Sequence, residues 1–211
     1  TEDRHYTNVR AARETWAPGC DGFLVFSTVS DPRIPSYRPD FKGEEQYNNI
    51  WQKVRSIWRF IATHYVNAFD FFIIGGDDLV VLPGNLRHYL STVGNPDDAH
   101  FLGRRFSQNV GRSIADGLFY SGGAGYVLSR GALRVLHDSL EKPECRPGRT
   151  TPMEDVMIAV CWRSQGIGVI DTRDEFQRER FHPFAPGNHL TWRPPAKKGS
   201  DWYENYNEPW G

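Results

Sequence analysis

The sequence predicts an α/β fold, a sheet flanked by helices on both faces, and three observations carry the prediction. The run Phe69-Asp70-Phe71-Phe72-Ile73-Ile74 is rich in strand-forming residues and is bounded by Gly75-Gly76, which reads as an interior strand delivered to a sharp turn. From Glu44 to Tyr65, Ile50, Val54, Ile57, Ile61 and Tyr65 recur at three- and four-residue spacing, with Trp51 and Trp58 widening the stripe, which predicts a helix with one buried face. Further short apolar runs then alternate with helical segments along the chain, the pattern of a sheet covered on both sides.

In order, a short helix is expected over 5–15, stopped by Trp16-Ala17-Pro18-Gly19, then a strand over Gly22–Ser27. Three prolines between Asp31 and Pro39 predict a surface loop. After the long helix and the central strand, Pro83-Gly84 opens a helix through Leu90 and Ala99–Gly103 forms a strand. Leu118–Ser129 reads as strand, glycine turn and second apolar stretch. Helices follow over Gly131–Leu140 and Glu154–Ser164, and Gly168-Val169-Ile170 is a last strand. Beyond Phe181 the chain is rich in Pro, Trp, Tyr and Asn with little periodicity, so an irregular segment is expected over 181–211.

Composition narrows the function. At 211 residues, one domain spanning 1–211 is expected. A net charge of -1 gives no electrostatic footprint for nucleic acid or acidic membrane. No run approaches the roughly 20 apolar residues of a membrane span, and no signal peptide is present. The chain begins at Thr1, so it is expected to be an excised piece of a longer protein. Cys20, Cys145 and Cys161 form an odd set without the short spacing of a zinc site.

The candidate chemistry starts at Asp77 and Asp78. Two carboxylates beside an apolar strand need a counter-ion, and hard oxygen ligands suit magnesium or manganese, although such pairs are also common in solvated turns. In open α/β sheets ligands sit beyond strand carboxyl ends, where Arg104 and Arg105 also fall.

Glu14-Thr15-Trp16, Phe72–Leu82, Gly103-Arg104-Arg105-Phe106, Ser121–Ser129, Glu154-Asp155, Phe181-His182-Pro183-Phe184 with Asn188-His189-Leu190, and Trp202-Tyr203 with Asn205-Tyr206-Asn207 follow one another in the chain. In this order they resemble the inverting glycosyltransferases of family 31, in particular the core 1 β1,3-galactosyltransferases. The resemblance runs from about Val9 to Trp210. It implies a GT-A (Rossmann-like) fold with a mixed sheet, a UDP-sugar donor (UDP-galactose in the core 1 group), an O-GalNAc glycoprotein acceptor, and Mn2+.

That family usually places three consecutive Asp after a strand. Here Gly76 takes the first place, where the family positions the donor, and Asp77 and Asp78 take the second and third. The resemblance implies Asp78 and His182 as metal ligands with Asp77 in support, and His189 as a weaker alternative ligand. Asp155 matches the catalytic base, and Glu154 is placed to orient the acceptor. Lys53, Gly76, Asp77 and Arg104 fall at donor-contacting positions; an ordinary solvated charge is the competing reading for Lys53, and one of the two arginines is expected to be structural. Gly123, in the turn Ser121–Tyr126, and the aromatics Trp202, Tyr203 and Tyr206 fall on the acceptor side, and a tail packed on the core is the competing reading for those aromatics.

Cys145 and Cys161 match positions expected to pair. Cys20 resembles a cysteine whose partner lies on the fold's first strand, which also forms part of the uridine site and is expected to precede Thr1. The resemblance further implies a type II membrane protein of the Golgi with this chain on the lumenal side; homodimer formation is left open. The competing functions are a catalytically silent relative acting as folding partner for an active transferase, which Gly76 motivates, and a sugar-binding module without chemistry.

Overall fold

The computed structural model describes residues 4–108, 117–197 and 200–206. Asn207 and Trp210 therefore lie outside the described residues. A wide helical turn over His5–Val9 leads into α1 (Arg10–Thr15), then come β1 (Val25–Phe26), β2 (Ser36–Tyr37), α2 (Ile50–Tyr65), β3 (Phe71–Ile74) and α3 (Pro83–Leu90). β4 (Phe101–Gly103), β5 (Arg105–Gln108), β6 (Gly117–Tyr120), β7 (Tyr126–Ser129), α4 (Arg130–Ser139), α5 (Glu154–Ser164), α6 (Pro186–Thr191) and α7 (Trp202–Tyr206) complete the chain. Among the described residues no helix is long and apolar enough to cross a membrane.

The fold is mixed α/β, with sheets flanked by helices. The central sheet has the order β3-β7-β4, and both pairings are antiparallel, with Ile74 opposite Tyr126 and Gly103 opposite Tyr126 on the other side. The parallel pair among the described residues is β1–β2; β5 and β6 form an antiparallel pair. Side chains alternate across the central sheet as the pleat requires. Phe72, Ile74, Phe101, Tyr126 and Leu128 face the larger core with Trp51 and Trp58 of α2, Leu133 and Leu136 of α4, and Ile158 and Trp162 of α5. Phe71, Ile73, Leu102 and Val127 face a smaller cluster with Leu86, Tyr89 and Leu90 of α3 and with Phe181. Helices thus cover both faces.

Four expectations are corrected. The run at Phe69–Leu82 does not read as an interior strand: among the described residues β3 lies at the edge of its sheet, all four of its residues are half-buried, and after Asp78 the run buries Val81 while Val80 and Leu82 are exposed. Gly168–Ile170 is not a strand either. The Tyr120 hydroxyl donates to the Ile170 carbonyl and accepts from its N–H, both at 2.9 Å, so a side chain serves the backbone groups that a neighbouring strand would have used. The segment after Phe181 carries two short helices, α6 and α7, where none was expected. The long helix starts at Ile50, after a tight turn at Tyr47–Asn49, because the Asn49 amide donates to the carbonyls of Lys42 and Glu44 and holds the approach as a loop.

Cys145 and Cys161 are joined in a disulfide that ties the turn after α4 to α5. Cys20 is a free, half-buried thiol whose pKa burial pushes up.

Candidate active site

Glu154 and Asp155 open α5, in the turn where unpaired backbone N–H groups and the helix dipole favour negative charge. Asp155 uses both oxygens: Oδ2 accepts the Gly122 N–H at 3.0 Å, and Oδ1 accepts the Val156 N–H at 2.8 Å. Glu154 Oε2 accepts a hydrogen bond from the Tyr126 hydroxyl at 3.0 Å, and that hydroxyl oxygen accepts from the Trp58 indole N–H at 3.2 Å. Both carboxyl groups are deeply surrounded by protein, yet each residue keeps part of its surface open. Burial, reinforced by the charge of Asp155 and opposed by the Tyr126 hydrogen bond, pushes Glu154 up to about 8. Burial also raises Asp155, against the pull of its backbone N–H bonds, chiefly that of Gly122.

The turn Ser121–Gly125, between β6 and β7, is the hub. A Cβ on Gly122 would stand 2.4 Å from Glu154 Oε1 and 3.5 Å from Asp155 Cβ. Gly125 has a positive φ of 69°, and a Cβ there would approach the Ile74 carbonyl at the end of β3 to 3.0 Å. On its other side the turn meets the Phe181–Phe184 segment, with Pro183 O 3.7 Å from a Cβ on Gly123. One glycine turn therefore touches the carboxylate pair, the end of the strand that leads to Asp77 and Asp78, and the segment that carries His182. The missing side chains leave room for a ligand to approach backbone closely.

Asp77 is engaged by Arg4 at 2.7 Å, while Asp78 is exposed and no described residue pairs with it. Asp78 Oδ1 lies 2.6 Å from where a Gly76 Cβ would be, so a side chain at 76 would require the exposed Asp78 carboxylate to turn aside. His182 stands at the surface with its ring 4.9 Å from that of His189; the atoms that cover it and the Arg104 charge push its pKa down, which keeps the imidazole in its neutral, ligating form. His189 Nε2 already accepts the Phe184 N–H at 3.3 Å.

Among the described residues no three His, Cys, Asp or Glu side chains gather at metal-holding distance, so Asp77, Asp78 and His182 do not form a ready cage. A hard divalent cation commonly takes one or two carboxylates and completes its shell with water and substrate phosphate. An unpaired exposed Asp78 and a neutral His182 fit that mode of binding.

Arg104 is buried between the sheet and the C-terminal segment. Its guanidinium forms an ion pair with Glu179, lies 5.5 Å from the Phe106 ring and donates to the Tyr203 hydroxyl at 3.4 Å. Lys53 is paired with Glu45 at 2.5 Å. Trp202, Tyr203 and Tyr206 pack around Phe106 at ring distances of 6.1, 5.9 and 6.5 Å, and Tyr203 also meets Phe184 at 5.3 Å. Trp202 remains 49% exposed, so one aromatic of the three keeps a large open surface. Sequence reasoning missed Tyr126 and Trp58 behind Glu154. Their signal was present: two aromatics with polar heads inside apolar stretches, each needing a partner once buried.

No protein-family profile matches the chain. Against known proteins it is 33% identical over 194 residues, 92% of its length, to a glycoprotein-N-acetylgalactosamine 3-beta-galactosyltransferase 1 of Xenopus laevis, and covers 51% of that protein. It is 24% identical over 199 residues, 94% of its length, to a beta-1,3-glucosyltransferase of Mus musculus, covering 38% of it. The chain thus spans about half the length or less of the curated relatives it matches. Motif order and likeness over nine-tenths of the chain agree, and over the part of them that it spans the chain is similar to the family 31 β1,3-glycosyltransferases.

Proposed function

We propose that the chain is the catalytic part of an inverting, UDP-sugar-dependent β1,3-glycosyltransferase that moves galactose from UDP-galactose to O3 of GalNAc on Ser or Thr of glycoproteins. The observation that supports this most is the carboxylate pair of Glu154 and Asp155 packed on the glycine turn, in a chain whose relatives carry β1,3-transferase names. Asp155 is the base. As the carboxylate it is fixed by two backbone N–H groups, and burial makes it more basic. It takes the proton of the acceptor hydroxyl as that oxygen bonds to the anomeric carbon. The bond from that carbon to the diphosphate breaks on the opposite face, and UDP leaves with the electron pair. No covalent enzyme intermediate forms.

Asp78 and His182 are the residues that would hold a divalent cation such as Mn2+, with Asp77 released from Arg4 as a supporting oxygen. Bound there, the cation would neutralise charge growing on the departing diphosphate. Glu154 and Gly123 lie on the acceptor side, and the open surface of Trp202 is suited to stack a sugar face. Gly76 and Lys53 remain the donor-side candidates. The Cys145–Cys161 disulfide suits an oxidising compartment and supports a lumenal, Golgi location for the domain of a type II membrane protein.

The test is transfer from UDP-galactose to a GalNAc-threonine peptide, with Mn2+ and with a chelator. Product that requires the metal is expected. No product from folded protein with UDP-galactose, UDP-glucose or UDP-GlcNAc would reject the assignment.

A further inference from the structure

The two carboxyl groups at the start of α5 are treated differently by their surroundings. Asp155 faces backbone N–H groups on both oxygens, while among the described residues Glu154 has one donor, the Tyr126 hydroxyl, on Oε2. An indole N–H can only donate, so Trp58 takes one lone pair of the Tyr126 oxygen, and the single hydroxyl hydrogen has Glu154 Oε2 as its acceptor among the described residues. The chain of bonds runs from Trp58 to Tyr126 to Glu154. With Oε2 accepting, a proton on Glu154 sits on Oε1.

Oε1 is the oxygen that lies against the glycine turn, 2.4 Å from the Cβ position of Gly122. Adjacent buried carboxyl groups resist ionising together, and the one with more N–H donors keeps the charge. Asp155 is that one.

We propose that Glu154 is held as a neutral acid whose Oε1–H donates to a hydrogen-bond-accepting oxygen of the acceptor sugar, with Tyr126 as its positioning residue and Trp58 fixing the direction. The proposal rests on the transferase reading above. It separates two jobs that adjacent carboxylates would otherwise confuse: Asp155 takes a proton, and Glu154 offers one to an oxygen that stays unreacted. An acceptor with a carbonyl or hydroxyl oxygen at that place is thereby recognised. Tyr126 and Asp155 are the titratable groups that act on Glu154, and burial supports the same protonation state by raising it to about 8.

Two measurements on the full chain test this. Infrared difference spectra of the unsubstituted protein against Glu154→Gln should show a protonated carboxyl band at pH 7 that is lost as pH rises through about 8. In Tyr126→Phe the midpoint should move upward, because the hydrogen bond that stabilises the ionised form is gone. In kinetics, kcat/KM of the unsubstituted protein should fall on the alkaline side. Glu154→Gln, which keeps a neutral donor, should lose that limb and transfer about tenfold faster than Glu154→Ala. Transfer with no carboxyl band at pH 7, or Gln no better than Ala, overturns the proposal. A band in a protein that transfers no sugar overturns the transferase reading instead, and with it the role of the donated hydrogen bond.

Discussion

Gly122→Ala is the substitution whose effect follows most directly from the geometry. Gly122 does not have a positive φ, so alanine fits the backbone and the change acts through one methyl group. That methyl would stand 2.4 Å from Glu154 Oε1, where ordinary contact begins at 3.4 Å, so the carboxyl must retreat by about 1 Å (3.4 − 2.4). Its contacts with Asp155, at 3.5 and 3.6 Å, are already ordinary and demand no movement. Glu154 is pinned by Tyr126 on Oε2, so the retreat stretches a 3.0 Å hydrogen bond worth about 1 kcal/mol. A displacement of about 1 Å in a positioned group costs roughly 100-fold in rate. Transfer kinetics with varied acceptor, alongside a thermal melt, measure both effects. The expected outcome is a loss of kcat/KM near 100-fold with a small drop in Tm. Gly148→Ala, where a Cβ meets nothing within 4 Å, should change neither. Gly122→Ala with transfer within about twofold of the unsubstituted protein would refute the placement of Glu154 against the turn.

Arg104→Ala should destabilise the protein by about 1–3 kcal/mol in denaturant unfolding, because it leaves the half-buried Glu179 carboxylate without its counter-charge. Unchanged stability with a raised KM for the UDP-sugar would return Arg104 to the donor site. Reduction of the Cys145–Cys161 bridge, which closes a separation of 16 residues, should cost about 3 kcal/mol in the same assay. An unfolding midpoint indifferent to reductant would contradict its contribution.

Much of this was legible in the residues. The helix stripe of α2 and the exact spans of α3 and α5 follow from periodicity, from Pro83 at a helix start, and from the acidic pair that opens α5. The strands β3, β4 and β7 are legible as short apolar runs, whereas their division between two cores shows only in the fold. What periodicity cannot report is which neighbour a strand receives, so the edge position of β3 and the loss of a strand at Gly168–Ile170 were not readable. At the site, the motifs named Asp155 and Glu154, but not the long-range partners that set their chemistry. Tyr126 and Trp58 are 28 and 96 residues from Glu154, respectively, and reach it through the packing of β7 and α2 on α5. Arg104 reads as a ligand-facing cation in sequence, and only the fold shows Glu179 against it.

Transfer by Asp155→Asn, measured beside the unsubstituted chain with UDP-galactose, Mn2+ and a GalNAc-threonine peptide, asks whether this carboxylate takes the acceptor proton. A β1,3-linked product is expected from the unsubstituted chain, and a loss of about 10²–10⁴-fold in kcat for the variant with its fold intact. An Asp155→Asn protein that transfers at the unsubstituted rate would show that the proton leaves by another route, and the assignment of the base would be wrong.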